Sequence, residues 1–158
     1  MRLAFLFLPL LCSAVQAQEK VAFFGLHLLD MSLQADQHPP EPARIIALER
    51  MVADRFEAEG YVLIDIEPAR EQIDHYANLA DCYGCDIRIA QELGADYALV
   101  GVVQKTSNLI IAMNLQLRAA GTGETIKAAV VDIRGNTDES WNRGMRYILK
   151  NRFFTGDE

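Results

Sequence analysis

Three apolar runs, KVAFFGLHLL at 20–29, YVLIDI at 61–66 and DYALVGVVQK at 96–105, constrain the fold more than any other feature of this chain. They are nearly continuous rather than alternating, the pattern of strands covered on both faces. Between the first two lies an apolar stripe at three- and four-residue spacing: Ile45, Ile46, Leu48, Met51, Val52 and Phe56. Arg50, Asp54, Arg55 and Glu59 fall mostly outside that stripe, which predicts an amphipathic helix from Ala43. Gly60 stands where a helix C-terminus favours glycine. Pro39, Pro40 and Pro42 argue against helix before Ala43. Strand, helix and strand in this order predict a right-handed crossover with parallel pairing.

Beyond residue 66 a polar segment with Glu67 and Pro68 leads to a short helix, and a second helix over 86–93 stops at Gly94. After the third apolar run, KTSN at 105–108 predicts a turn into LIIAMNLQLRAA. There Ile111, Met113, Leu115 and Leu117 alternate with polar residues, the mark of a half-exposed strand. Gly121-Thr122-Gly123 turns the chain into ETIKAAVVDIRG. Asn136 or Thr137 then caps a last helix with Asp138 and Glu139 in its first turn and Lys150 and Arg152 in its last, both favourable to the helix dipole. The expected fold is one α/β (α+β) domain: a mixed sheet of about five strands packed with about three helices, in the order β-α-β-α-β-β-β-α.

The start of the chain sets its compartment. MRLAFLFLPLLCSAVQA has a positive Arg2, an apolar stretch and small residues at Val15 and Ala17, so residues 1–17 read as a signal peptide cut before Gln18. The stretch is far shorter than the roughly 20 residues of a spanning helix. Cys12 raises the question of a lipid anchor, but Leu11 stands where a lipobox carries a small residue. Removing 17 of 158 residues leaves 141, enough for one periplasmic domain over 18–158. Without Arg2, 14 basic residues face 22 acidic ones, a net charge of −8. An acidic chain with no basic stripe excludes nucleic acid and anionic lipid surfaces as expected partners. The mature chain has no further stretch fit to cross a membrane.

Export changes the meaning of DCYGCD at 81–86. Covalent haem attachment needs histidine after the second cysteine, and Asp86 stands there. A structural zinc site needs four ligands. The mature chain offers only Cys82, Cys85 and the scattered His27, His38 and His75, of which His75 is nearest in sequence, so no metal site is expected. A redox pair is the sharper alternative: Cys82 at or just before a helix N-terminus would have a stabilised thiolate. All five prolines precede Cys82, which argues against a thioredoxin-type site. The preferred reading is a Cys82–Cys85 disulfide formed in an oxidising compartment, with Gly84 permitting the tight turn.

Other chemistry is sparse. There is no P-loop, no glycine-rich dinucleotide fingerprint and no Gly-x-Ser-x-Gly elbow. Ser107 and Ser140 lack a convincing histidine partner. Asp30, Asp36, Glu41 and His38 offer a candidate cation site in the first loop, although a solvated loop is the plainer account. No cofactor is expected. Trp141, beside Arg134, Asn136, Asp138 and Arg143, is the candidate interface anchor, against the plainer account of a core residue. Lys105, Thr106, Ser107 and Asn108 form a second candidate contact surface.

The segments DCYGCDIRIAQELGADYALVG, QKTSNLI and VDIRGNTDESWNRGMRYIL resemble those of a family of predicted secreted proteobacterial proteins of unknown function, often encoded near quinoprotein alcohol dehydrogenases. More distantly, the strand order and ELGADYALVGVVQ resemble the small α/β domain of TolB, curli secretion proteins and lipoprotein activators of penicillin-binding proteins. These resemblances imply the fold and a non-catalytic binding or assembly role toward another periplasmic or envelope protein, with a thiol-disulfide protein as the alternative.

Overall fold

The computed structural model describes residues 17–32 and 40–155. The expectations for the signal peptide, Cys12, Asp36 and His38 therefore lie outside the described residues, apart from Ala17 at the leader's end. Strand β1 (Lys20–Asp30) precedes helix α1 (Glu41–Ala58), the two-residue strand β2 (Val62–Leu63), the short helix α2 (Arg70–Asp74) and helix α3 (Cys85–Glu92). The long strands β3 (Tyr97–Ser107), β4 (Ile110–Ala119) and β5 (Thr125–Arg134) follow. Helix α4 (Asp138–Ile148) widens at its end into a π-helical turn, Leu149–Phe153. The sheet is mixed, as expected, in the order β2-β1-β3-β4-β5. β1 runs parallel to both β2 and β3, while β3, β4 and β5 are successively antiparallel.

Three boundaries differ from the sequence reading for local reasons. Helix α1 starts at Glu41, with Pro42 inside its first turn, where a missing N–H costs no helical bond. The run at 61–66 pairs only through Val62–Leu63, because the Asp65 carboxylate accepts the Glu67 N–H at 2.9 Å and turns the chain into a 3₁₀ turn. Strand β3 continues through the predicted turn as far as Ser107, so the reversal falls on Asn108 and Leu109. Gly60, at φ +89, closes α1 as expected, with the Gly60 and Tyr61 N–H groups donating to the Glu57 and Phe56 carbonyls.

Helices α1 and α4 cover one face of the sheet, where Leu48, Val52, Phe56, Trp141, Met145 and Ile148 pack on the inward side chains of the strands. Helix α4 lies so close that a Cβ at Gly144 would stand 2.7 Å from Ile133 and 3.1 Å from the Met113 sulfur. The opposite face is covered by α2 and α3, over Phe24, Val100 and a layer of alanines that lets α3 approach. β1 carries a bulge at Gly25, φ +84, where the register with β3 slips between Phe23 and Leu26.

Candidate functional site

Alternation along β3 sends Lys105 inward, although charge alone would place it outside. Its ammonium is neutralised from two neighbouring elements. Glu41, in the first turn of α1, accepts from Nζ at 2.6 Å, and Asp30, at the end of β1, accepts at 3.2 Å. Two members of the candidate cation site thus do hold a cation, and it is the chain's own lysine. Among the described residues no group of three His, Cys, Asp or Glu side chains could hold a metal ion.

Asn136, between β5 and α4, extends the cluster. Its Nδ2 donates to Glu41 at 2.6 Å and to Asn108 at 3.2 Å. Its Oδ1 accepts from Arg44 at 2.7 Å and from the Trp141 indole N–H at 2.9 Å. All four hydrogen-bonding positions of the amide are used. Arg44 also donates to Asp138 at 2.6 Å, and its guanidinium lies 5.7 Å from the Trp141 ring centre. Thr137 caps α4 by accepting the Ser140 N–H. One network therefore joins β1, α1, the β3–β4 turn, the β5–α4 connection and α4, at the carboxyl ends of the parallel strands β1 and β3.

The electrostatics follow from burial and pairing. Burial pushes the Glu41 carboxyl up, but hydrogen bonds from Lys105 and Asn136 and the Lys105 charge more than offset it, so its pKa lies below the ordinary value. A hydrogen bond from Ser32 holds Asp30 low, against some desolvation, and Lys105 adds to the effect. Burial alone would lower Lys105; the hydrogen bonds it donates to Glu41 and Asp30 prevail and raise it. The second oxygen of Glu41 is buried without a hydrogen-bond partner among the described residues, so its charge is compensated through one oxygen.

The predicted contact residues divide by depth. Trp141 is wholly buried in the core, and Lys105 is 3% exposed. Core packing satisfies Trp141 internally, and two carboxylates do the same for Lys105. Asn136 is half-buried in the network, and Asn108 and Asp138 are its exposed members. Thr106 and Ser107 flank the turn, where the Ser107 hydroxyl accepts the Leu109 N–H. Arg134 and Arg143 are exposed and stand outside the network; Arg143 approaches Glu139 at 3.9 Å. Arg44 escapes notice in the sequence because it looks like an ordinary first-turn residue, and Glu41 stands out there only as a candidate cation ligand. The exposed Leu109 and Ile110 at the hairpin and Met31 at the end of β1 are apolar neighbours of this polar frame.

DCYGCD lies apart, before α3. Cys82 and Cys85 form a disulfide, with Cys85 buried as the first helical residue and Gly84, φ +99, as its N-cap. Cys82 closes a preceding 3₁₀ turn, three residues away from the helix start. Tyr83 takes φ +55 and is fully exposed. Asp86 is buried and forms a two-pronged ion pair with Arg118, which ties α3 to β4. His75 is exposed after α2, its ring edge-on to Tyr76.

The profile of DUF3280, described as "Protein of unknown function (DUF2380)", matches residues 19–153. The chain belongs to that family. No curated protein matches it. Among solved structures, the LpoB C-terminal domain from Salmonella enterica is similar at 19% identity and a TM-score of 0.52, covering 77% of this chain and 87% of that one. Lipoprotein GNA1162 from Neisseria meningitidis is similar at 13% identity and a TM-score of 0.52, over 83% and 95%. The PelC dodecamer from Paraburkholderia phytofirmans is similar at 14% identity and a TM-score of 0.50, over 84% and 85%. At these identities the likeness is one of fold. No helix among the described residues is long and apolar enough to cross a membrane.

Proposed function

We propose that this chain is an exported, non-catalytic binding or assembly module of the periplasm, released from a signal peptide at 1–17 as a single domain over 18–158. The observation that carries this reading is the sheet-end network. Its charged and amide side chains are spent on one another and rigidify the β3–β4 turn, beside which Leu109 is 70% exposed. An apolar residue on a rigid, polar-rimmed mount suits protein contact. The folds shared with a lipoprotein and with a dodecameric assembly support it. The contact surface comprises Thr106, Ser107, Asn108, Arg134, Asp138 and Arg143, mounted on Lys105, Asn136 and Trp141. Its partner is another envelope protein, and the resemblance to proteins encoded beside quinoprotein alcohol dehydrogenases points to that oxidation system.

The test is a photo-crosslinking residue at Leu109 or Asn108 in the protein produced in the periplasm. One discrete adduct from both positions, absent from a control at the exposed Tyr147 of α4, is expected. No adduct, or the same adducts from Tyr147, overturns the reading. The half-exposed Cys82 keeps a thiol-disulfide function as the second reading. A midpoint of roughly −120 to −200 mV for the pair would favour it, whereas one below about −300 mV marks a structural disulfide.

A further inference from the structure

β1 is paired with β3 from Val21 to Asp30 except at the Gly25 bulge, whereas among the described residues β2 covers only Lys20 and Val21 on its other side. The last bond of that short ladder runs from the Ile64 N–H to the Val21 carbonyl, after which the chain turns away. The Met31 N–H reaches the Lys105 carbonyl, so the two-residue period directs residues 27, 29 and 31 at β3. The main-chain groups of Leu26 and Leu28 consequently face the outer edge. Glu49 of α1 reaches over this edge at the Gly25 bulge and accepts the Leu26 N–H at 2.8 Å, taking the role a strand carbonyl would play. A Cβ at Gly25 would lie 2.6 Å from the same oxygen.

Two hollows flank this point along the edge. One, of about 500 Å³, is lined by Phe24, Ile46 and Ile66 with Arg50 and Arg70 at its rim. The other, of about 460 Å³, holds His27, Glu49, Asp74 and Asn78. Ile46 is 59% exposed although it belongs to the apolar side of α1's sequence pattern. α1 stands on one side of the edge, and the segment carrying α2 on the other, leaving a walled slot.

We infer that this slot receives an extended peptide segment of a partner protein, paired as an added strand on β1. Main-chain donors and acceptors are what an edge recognises, and the walls admit a single strand more readily than the helix-backed edge of a second copy. The peptide's carbonyl replaces Glu49 at the Leu26 N–H. An apolar side chain sits against Ile46, Phe24 and Ile66, and a basic one lies near Glu49 and Asp74. The surface is separate from the hairpin end and does not depend on the function proposed there.

The test pans a phage-displayed decapeptide library against the mature protein and measures synthetic copies of the selected peptides by calorimetry and amide exchange. The expected peptides pair an apolar residue with a Lys or Arg and slow exchange at the Leu26 and Leu28 amides. Ile46→Asp and Asp74→Lys should each weaken binding at least about tenfold, while Leu109→Asp leaves it unchanged, with melting curves confirming that all three fold. In the free protein the Leu28 amide should exchange far faster than those of His27 and Leu29. Equal protection of the three amides, binders indifferent to both substitutions, or no binder at all would overturn the inference. So would self-association abolished by Ile46→Asp, which would assign the edge to a second copy.

Discussion

Lys105 and Glu41 are 4% and 2% exposed at their side chains, and neither can lose its partner cheaply. Lys105→Met leaves the Glu41 carboxylate with only the neutral Asn136 amide, and Glu41→Gln leaves the ammonium with Asp30 as its one charged partner among the described residues. Each change should cost about 3–5 kcal/mol in urea unfolding, while the pair replaced together by apolar residues should cost less than the sum. The depressed carboxyls set an acid limit. Their stabilisation is complete above the ordinary values of 4.5 for Glu41 and 3.8 for Asp30, and is lost as pH falls through their lower folded values. Lys105 works in the other direction: its contribution is complete below 10.5 and is lost as pH rises through its raised folded value. Stability measured from pH 3 to 7 should fall on the acid side, with a shallower slope in Glu41→Gln.

At the scale of single elements, the start of α3 and the seat of α4 are the tight places. Reducing Cys82 and Cys85, or replacing both with serine, should remove about 2 kcal/mol, since the closed loop is short. Gly84→Ala forces a Cβ into φ +99 and should cost about 1–3 kcal/mol in thermal melts, less once the disulfide is gone. Gly144→Ala drives a methyl into Ile133 and Met113 and should cost about 1–3 kcal/mol, with the emission of the buried Trp141 shifting to the red. The elements themselves were mostly legible in the sequence: the apolar runs, the alternation in β4 and the glycine after α1 each act locally. The strand at β2 was legible too but its brevity was not, because one Asp65 side chain decides where pairing stops. Lys105 and Glu41 lie 64 residues apart, and Asn136 and Glu41 lie 95 apart, so only the folded sheet shows that they meet. The acidic character of Asp30 and Glu41 did suggest a cation, but no local pattern could name Lys105 as that cation.

For the whole molecule, support and contact separate cleanly. Leu109→Asp should leave unfolding free energy within about 0.5 kcal/mol of the parent, as exposed substitutions do, and abolish the crosslink from Asn108. Arg44→Ala should do the reverse in emphasis, lowering stability through Asn136, Asp138 and Trp141 while weakening the contact only as the turn loosens. The spacing of the network in sequence also has a consequence for how the protein is made. A chain emerging from its N-terminus has Glu41 and Arg44 in hand long before Asn136 and Trp141 arrive. The β3–β4 turn therefore acquires its fixed shape only when the last helix has docked. A product cut just before residue 136 would keep all five strands yet lack Asn136 and Trp141, so the contact end we propose is finished only by the arrival of the last helix.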